Sequence, residues 1–214
     1  MNFSEDKEYQ ACTPIAVNRN AFNANCELPY GLQVEHVGRA MEDFIYFLDL
    51  VNHQLHAKGI PRLESLLMPA MFSGLVGELI SSSIPKYCPY LARNRYPNGH
   101  PDLIPAGMFA DDAIHYAHEG IEVKSSRRLR GWQGHNPEAV WRMVFCFDSN
   151  TLNDDLNKRS PKPFRFRGVY AAKLDCENWI FSGRSATSRR TITASVALSG
   201  IAKMKANWVY EDLS

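Results

Sequence analysis

Residues 95–128 read RYPNGHPDLIPAGMFADDAIHYAHEGIEVKSSRR and contain two candidate strands separated by a turn. Leu103–Phe109 and Ile114–Lys124 are both rich in apolar and β-branched residues, which favours extended backbone. The four residues between them, Ala-Asp-Asp-Ala, are polar at their centre, as is typical of a tight connection. The stretch therefore predicts an antiparallel hairpin.

The position of the turn decides which side chains of this hairpin face each other. If the turn is centred on Asp112, then Asp102 and Glu122 are equally distant from the centre and lie opposite, with Cβ atoms about 4.5–5.5 Å apart. Side chains alternate along a strand, so Glu122 and Lys124 share one face. The hairpin therefore gathers two carboxylates and one ammonium group, unless a one-residue bulge moves the partner of Asp102 to a neighbouring position.

Two acids and a lysine in this arrangement suit the hydrolysis of a phosphodiester. Carboxylate oxygens are the ligands that Mg²⁺ prefers, and water completes its coordination shell. The metal would polarise a phosphoryl oxygen and lower the pKa of a bound water. Lys124 would orient or help to deprotonate that water, or stabilise the charge that develops on the phosphate. Mg²⁺ is therefore the expected cofactor.

The order Pro101-Asp102 followed by Glu122-Val123-Lys124 resembles the signature of the PD-(D/E)xK nucleases. The resemblance implies a restriction-endonuclease-like core, with a central mixed β-sheet flanked by α-helices, and Mg²⁺-dependent cleavage of DNA. It also implies that Asp102, Glu122 and the carbonyl group of Val123 hold the metal, and that Lys124 is the catalytic lysine. Within this diverse superfamily, the compact size and the lack of a helicase or ATPase motif favour a type II restriction endonuclease.

The expected partner of such an enzyme is double-stranded DNA, cut at one short sequence. A homodimer is expected by analogy, because symmetric DNA sites are usually read by twofold dimers. Three alternatives stay open. They are a structure- or damage-directed repair nuclease of the same fold, a non-catalytic DNA-binding protein on that fold, and an interaction protein in which the motif spacing is accidental.

One carboxylate precedes the hairpin on a segment that is otherwise uncharged. Residues 66–84 read LLMPAMFSGLVGELISSSI, and Glu78 is the only charged residue among them. An ionised carboxylate on an apolar helix needs a partner or a water-filled opening. The resemblance places a glutamate of the preceding helix near the metal, so Glu78 is a further candidate ligand. The alternative is a residue on the solvent-facing side of that helix.

Helices are expected before the hairpin and strands after it, which gives an α/β (α+β) layered fold. Apolar residues spaced by three and four between Val37 and Leu55 predict an amphipathic helix, and a second helix is expected from about Pro69 to about Ser82. Residues 85–101 are expected to form a loop. Later segments with strand composition are Val140–Phe147, Phe164–Leu174 and Trp179–Phe181, while Thr191–Ala202 is ambiguous between strand and helix.

The length of 214 residues suits a single nuclease domain. Within it we expect an irregular N-terminal segment at 1–34, a catalytic core at about 35–180 and a C-terminal extension at 181–214. The composition, 45% hydrophobic and 22% charged, is that of a globular protein with enough apolar residues to build a sizeable core.

The charges are unevenly divided along the chain. Residues 1–119 carry 8 Lys and Arg against 14 Asp and Glu, whereas residues 120–214 carry 16 against 9. A basic half suits a polyanion such as DNA, although a solvated surface would explain it as well. The loop after Lys124 and a later basic segment offer donors and acceptors for phosphates and base edges. The candidate DNA-binding residues are Ser125, Ser126, Arg127, Arg128, Arg130, Gln133, His135, Asn136, Arg189 and Arg190.

Several classes of protein are disfavoured by patterns that the sequence lacks. No apolar run reaches 18 residues, so no membrane span is expected, and the start MNFSEDKEYQ does not resemble a signal peptide. Five cysteines without a CxxC pair favour reduced thiols and a cytoplasmic location. GxSxG, GxxxxGK[ST] and GxGxxG are absent, so neither a serine hydrolase nor a nucleotide cofactor is expected.

The histidines around the hairpin do not favour a zinc site. His115 and His118 are three residues apart, a spacing that suits neighbours on a helix, whereas on the predicted strand they point to opposite faces. His100 precedes the Pro-Asp pair and is expected to form a local hydrogen bond or to contact a phosphate, rather than to bind a metal.

Overall fold

The architecture was derived from a computed structural model of the chain, which describes residues 3–134, 137–157, 159–181 and 194–212. The helices are α1 (Phe3–Cys12), α2 (Val34–His56), α3 (Leu63–Leu66), α4 (Pro69–Tyr87), α5 (Leu152–Leu156) and α6 (Leu198–Ala206). The strands are β1 (Leu91–Arg93), β2 (Leu103–Pro105), β3 (Ile121–Ser126), β4 (Gln133–Gly134), β5 (Trp141–Asp148), β6 (Arg165–Lys173), β7 (Trp179–Phe181), β8 (Ala194–Val196) and β9 (Trp208–Glu211). Short 3₁₀ turns lie at Arg19–Ala21, Ala110–Asp112 and Cys176–Asn178.

A six-stranded mixed sheet forms the centre of the molecule. Its strand order is β1-β2-β3-β5-β6-β9, with β3 and β5 parallel and the other neighbours antiparallel. A smaller antiparallel sheet has the order β4-β8-β7. The predicted α+β class, with a central mixed sheet and flanking helices, is therefore confirmed.

The helices α2 and α4 cover one face of the central sheet. Their buried residues lie at the predicted helical spacing, including Val37, Met41 and Phe44 on α2 and Phe72 and Val76 on α4. They pack in one core with alternate residues of β3 and β5. The other face is covered by the small sheet and α6, which form a second core.

Strand β5, which lies within the predicted strand segment Val140–Phe147, is buried on both faces. Met143, Phe145 and Phe147 face the helical core, whereas Val144 and Cys146 face the second core. A strand that is covered on both sides has no wet face and needs no alternation of polar residues. The sequence MVFCF in the middle of β5 follows from that position.

The two segments of the predicted hairpin pair as expected but are shorter than expected. Leu103 lies opposite Ile121 in antiparallel pairing, which is the register obtained by centring the turn on Asp112. However, β2 ends at Pro105 and β3 begins only at Ile121. Residues 106–120 leave the sheet because their backbone groups find other partners. For example, His100 donates its N–H to the carbonyl of His115, and Arg95 donates to that of Asp112.

Other segments also differ from their expected structure. The N-terminal segment expected to be irregular contains α1, and the loop expected at 85–101 contains the end of α4 and all of β1. Part of Thr191–Ala202 is strand and part is helix, because β8 ends just before α6 begins. Strand β9 lies in the expected C-terminal extension yet pairs with β6 in the central sheet. Single-sequence patterns of three or four residues are too short to reveal such pairings.

Among the described residues, no helix combines the length and the apolar character needed to span a bilayer.

The buried side chain of Arg62 joins the N-terminal helix to two later segments of the chain. The side chain of Arg62 has no exposed surface, and it contacts Glu64 at 2.6 Å and Glu8 of α1 at 2.7 Å. The same guanidinium donates to the carbonyl of Lys162 at 3.0 Å and to the side chain of Asn150 at 2.9 Å. These contacts hold α1, α3 and the β5–β6 connection together.

We expect Arg62→Ala to lower the free energy of unfolding by about 3–5 kcal/mol, because it leaves the Glu64 carboxylate buried without its counter-ion. Arg19→Ala is the matched control. Arg19 also forms an ion pair, with Glu42, but the Arg19 side chain is 62% exposed. That control should lose no more than about 1 kcal/mol. Urea unfolding measures both changes, and losses of equal size would contradict the structural role of Arg62.

Candidate active site

The pairing of β2 with β3 brings Asp102 and Glu122 together. Leu103 lies opposite Ile121, so the next residues outward along the two segments are Asp102 and Glu122. A hydrogen bond fixes the aspartate in this position, because the backbone N–H of Val123 donates to Asp102 Oδ2 at 2.8 Å. The first acid is therefore anchored on the strand that carries the second.

Alternation along β3 separates its core residues from its polar ones. Ile121 and Val123 pack in the helical core, so Glu122 and Lys124 point to the other face of the sheet. Lys124 Nζ contacts Glu122 Oε1 and lies 4.0 Å from Asp102 Oδ2. The Glu122 side chain is only 6% exposed, whereas that of Lys124 is 33% exposed. The three residues form one cluster that is open to solvent at the lysine.

The proximity of these groups changes their pKa values. Burial, and then the neighbouring carboxylate of Glu122, raise the pKa of Asp102 to about 7. Burial alone would raise the pKa of Glu122, but the contacts from His100 and Lys124 outweigh it and lower that pKa. Burial would lower the pKa of Lys124, but Glu122 and Asp102 together raise it. The cluster therefore stabilises positive charge, because a half-buried and a buried carboxylate lie within reach of each other.

Three further residues belong to this site. His100 Nδ1 lies 2.9 Å from Glu122 Oε2, and Glu138 lies close to both. Arg142 is the Cα partner of Glu122 on the parallel strand β5, and its Nη1 donates to Glu138 Oε2 at 2.9 Å. Arg142 is fully buried, and burial lowers the pKa of its guanidinium against the opposing effect of Glu138.

The sequence interpretation assigned no role to Glu138 or Arg142, and it expected His100 to form a local hydrogen bond or to contact a phosphate rather than to bind a metal. A signal for Arg142 was present, since it is the only charged residue in the apolar stretch AVWRMVFCF. The same argument that singled out Glu78 on its helix applies to Arg142 on its strand. No such signal marks Glu138, whose segment has ordinary loop composition.

The cluster opens into a trough with a polar lining. A cavity of about 520 Å³ is lined by Asp102, Glu122, Lys124, His100 and Glu138, among others. A smaller cavity of about 170 Å³ lies between Asp102 and the small residues of α4, and a third of about 600 Å³ follows the loop after β3. Lys124 lines all three cavities. The trough therefore extends to both sides of the lysine.

Glu78 lies at the rim of this trough. It lines both of the cavities that contain Asp102, but its side chain is 62% exposed and forms an ion pair with Arg93 of β1. The sequence analysis expected a partner or a water-filled opening for the Glu78 carboxylate, and the structure provides Arg93 as the partner. The carboxylate is near the cluster without contacting Asp102 or Glu122 directly.

The candidate DNA-binding residues differ in what they contact. Ser125 donates to the carbonyl of Ser73 on α4, and Arg127 donates to the carbonyl of Ser149 and forms an ion pair with Asp154 at 3.9 Å. These contacts give Ser125 and Arg127 structural roles within the fold.

The remaining described candidates face the open side of the loop. Ser126 Oγ accepts a hydrogen bond from the backbone N–H of Arg128, and Trp132 anchors the loop by donating its Nε1 hydrogen to the carbonyl of Arg128. Arg128, Arg130 and Gln133 are exposed. His135, Asn136, Arg189 and Arg190 lie outside the described residues.

The donor set of the cluster fits Mg²⁺. Asp102 and Glu122 offer carboxylate oxygens, and Val123, whose carbonyl group is the third expected ligand, lines the cavity beside Asp102. Burial, and then the neighbouring carboxylate of Glu122, raise the pKa of Asp102, so a positive charge between the two acids would be favourable. A divalent cation at this point would supply that charge.

Comparison with protein-family models, with curated proteins and with solved structures gives no match for this chain.

The register that forms the cluster depends on Gly120. This residue has φ of +134°, and a Cβ atom there would lie 2.2 Å from the carbonyl oxygen of Leu103. We expect Gly120→Ala to separate β2 from β3 and to speed hydrogen exchange at the Val123 amide. Gly107→Ala is the control, because Gly107 also has a positive φ, +72°, but no atom lies within 4 Å of the added Cβ.

Both variants carry the strain of a positive φ, so the clash is the difference between them. Gly120→Ala should lose about 1–3 kcal/mol more unfolding free energy than Gly107→Ala. Equal losses, or unchanged exchange at Val123, would show that the register does not depend on this glycine.

Proposed function

We propose that the protein is a Mg²⁺-dependent endonuclease of the PD-(D/E)xK type that hydrolyses phosphodiester bonds in double-stranded DNA, and specifically a type II restriction enzyme. The observation that carries the proposal is the meeting of Asp102, Glu122 and Lys124 at one opening. A chance match to the motif would not require residues twenty positions apart to converge on one cavity. Their convergence therefore supports a shared chemical role.

The metal would be held by Asp102, Glu122 and the carbonyl group of Val123. When bound, Mg²⁺ would polarise a phosphoryl oxygen and lower the pKa of a coordinated water. The chain itself contributes the orientation of the carboxylates. Val123 holds Asp102 through its N–H, and Lys124 contacts Oε1 of Glu122.

Lys124 acts in this proposal as a cation rather than as a base. Without metal, burial would lower the pKa of Lys124, but the two carboxylates beside it together raise that pKa, which favours the charged ammonium. A fixed positive charge at this place would orient the attacking water and stabilise the charge that develops on the phosphate. Because its side chain is partly exposed and lines all three cavities, Lys124 can contact the substrate.

The proposed DNA path follows the cavity of about 600 Å³ that leads away from Lys124. Ser126, Arg128 and Gln133 line this cavity together with Pro69 and Ser73 of α4. Serine and arginine side chains suit phosphate contacts, and glutamine and arginine suit base edges. The acidic end of the trough would hold metal, and its basic end would hold the DNA backbone.

The remaining features of the proposal follow from this substrate. A homodimer would read a twofold-symmetric site, and the cytoplasm is the proposed location of the enzyme.

The proposal is tested by digesting plasmid DNA with the purified protein, with and without Mg²⁺. Discrete fragments whose ends share one short sequence are expected. Glu122→Gln should abolish cleavage but retain the fold, because it keeps the shape of the side chain while removing its charge. Glu119→Gln is the matched control and should cut normally, since Glu119 is exposed just before β3.

Other products would identify the rival functions. Cleavage only at junctions, nicks or lesions would favour a structure- or damage-directed nuclease. DNA binding without cleavage under any divalent cation would favour a non-catalytic DNA-binding protein. Normal cleavage by a folded Glu122→Gln variant would overturn the assignment of the active site.

Replacing Lys124 and replacing Arg128 should impair different steps, namely cleavage and DNA binding. Lys124→Ala should reduce the single-turnover cleavage rate by orders of magnitude with little change in affinity, because it acts mainly in the transition state. Arg128→Ala should weaken DNA binding and, if it contacts a phosphate, reduce the salt dependence of binding by about one unit. Cleavage rates at saturating protein and binding without Mg²⁺ separate the two effects. If both variants lose only affinity, Lys124 is not a catalytic residue.

A further inference from the structure

Three side chains with metal-binding atoms meet on the face of Glu122 that contacts His100. His100, Glu122 and Glu138 each offer one ligand atom, and these atoms lie within 4.8 Å of one another. They come from three separate segments, just before β2, within β3 and just before β5. Glu122 contacts Lys124 with Oε1 and His100 with Oε2. The cluster thus involves the oxygen that faces away from the lysine.

Two of these ligand-type atoms are buried without a hydrogen-bond partner in the part of the chain that the structure describes. Glu122 Oε2 lies 2.9 Å from His100 Nδ1, but the two are not aligned as donor and acceptor, and His100 Nε2 has no partner either. An unsatisfied buried polar group costs about 1–3 kcal/mol, and more when it is charged. The Glu122 side chain is 94% buried, so water does not readily offset this cost. Both atoms are therefore available to a ligand.

We propose that His100, Glu122 and Glu138 form a binding site for a first-row divalent transition metal such as Mn²⁺. One imidazole nitrogen and two carboxylates are a mixed donor set that suits Mn²⁺, Fe²⁺, Co²⁺ or Zn²⁺, whereas Mg²⁺ prefers oxygen ligands alone. Atoms bound at about 2.0–2.2 Å to one ion lie within about 4.4 Å of each other. Small side-chain rotations would bring the three ligand atoms into that range.

The surroundings of the site hold these side chains in place, as the outer partners of metal ligands do. Arg142 donates to Glu138 Oε2 at 2.9 Å and to the carbonyl of Gln133 at 2.5 Å. Trp179 donates its Nε1 hydrogen to the backbone carbonyl of Glu138 at 3.1 Å. The ring of Tyr116 stacks on His100 with centroids 5.4 Å apart. Each ligand outside β3 is therefore oriented by at least one further contact.

This site shares Glu122 with the proposed Mg²⁺ site but uses neither Asp102 nor Val123. Glu122 would be a ligand common to both sites, and two metal ions near one another could stabilise the attacking and the leaving oxygen of a phosphodiester. The binding of the transition metal does not rest on the proposed nuclease activity, although a catalytic role for it would. The two ideas can therefore be tested separately.

The test measures Mn²⁺ binding to the full-length protein in the absence of DNA. An Asp102→Asn background removes a carboxylate of the proposed Mg²⁺ site and none of the three ligands. Calorimetry gives the affinity, and electron spin-echo spectroscopy detects ¹⁴N modulation from an imidazole bound to Mn²⁺. We expect one Mn²⁺ with ¹⁴N modulation and an affinity at least about tenfold greater than that for Mg²⁺.

Matched variants assign the ligands. His100→Gln should abolish the ¹⁴N modulation. Glu138→Gln should weaken Mn²⁺ binding by about tenfold or more, because losing even an outer partner of a metal ligand costs at least that much affinity. His118→Gln and Glu119→Gln replace exposed residues of the same types and should change neither measurement. Circular dichroism confirms that each variant is folded. If His100→Gln does not fold, the affinity of Glu138→Gln decides the question.

The outcomes are distinct for the two proposals. Modulation that persists in His100→Gln, unchanged affinity in Glu138→Gln, or equal affinity for Mn²⁺ and Mg²⁺ overturns the transition-metal site. A wild-type protein that cuts DNA with Mg²⁺ but shows no ¹⁴N-modulated Mn²⁺ also overturns this site while leaving the nuclease proposal intact. A protein that binds Mn²⁺ as expected but cuts no DNA supports the site and overturns the nuclease.

Discussion

The alternation of side chains along β3 is the constraint on which the rest of the site depends. Ile121 and Val123 must enter the helical core, so Glu122 and Lys124 must leave the sheet on its other face. Pairing with β2 brings Asp102 to that strand from one side, and parallel pairing with β5 brings Arg142 from the other. A shift of one residue in either pairing would exchange core and polar positions.

This arrangement concentrates charges of both signs in a cluster whose deepest members, Glu122, Glu138 and Arg142, are buried. Asp102, Glu122 and Glu138 supply negative charge, and Lys124 and Arg142 supply positive charge. Buried ion pairs seldom recover the full cost of removing their charges from water. A fold that needed only stability would do better with apolar residues at these positions. Perturbed pKa values in a cavity are instead typical of sites that bind or react.

The rest of the chain holds this cluster of charged side chains in place. The helices α2 and α4 pack against the core face of β3 and β5, while the small sheet and α6 cover the second face. Arg62, whose side chain has no exposed surface, ties the first helix to the β5–β6 connection. The stability that the site gives up is thus supplied mainly by apolar packing, while the contacts of Arg62 fix how these segments meet.

Much of the local structure was fixed by residues that are close in sequence. The spacing of Val37, Met41 and Phe44 predicts α2, and the aromatic and β-branched composition of Val140–Phe147 predicts the strand β5. Distances counted from Asp112 also predict that Asp102 faces Glu122, although residues 106–120 do not continue the ladder. Periodicity and alternation are properties of consecutive residues, so a single sequence carries them.

The contacts of the site were decided only by the tertiary structure. The parallel pairing of β3 with β5 brings Arg142 beside Glu122, and residues 106–120 fold back so that His100 reaches the same carboxylate. The exposed ion pair of Glu78 with Arg93 likewise follows from the position of β1 beside α4. These neighbours are far apart in the chain, and nothing in their local sequence states which strands will pair. The sequence by itself determined the helix α2, the strand composition of β5 and the positions of the two acids, whereas strand order and packing decided which charges meet, because that depends on contacts between distant segments.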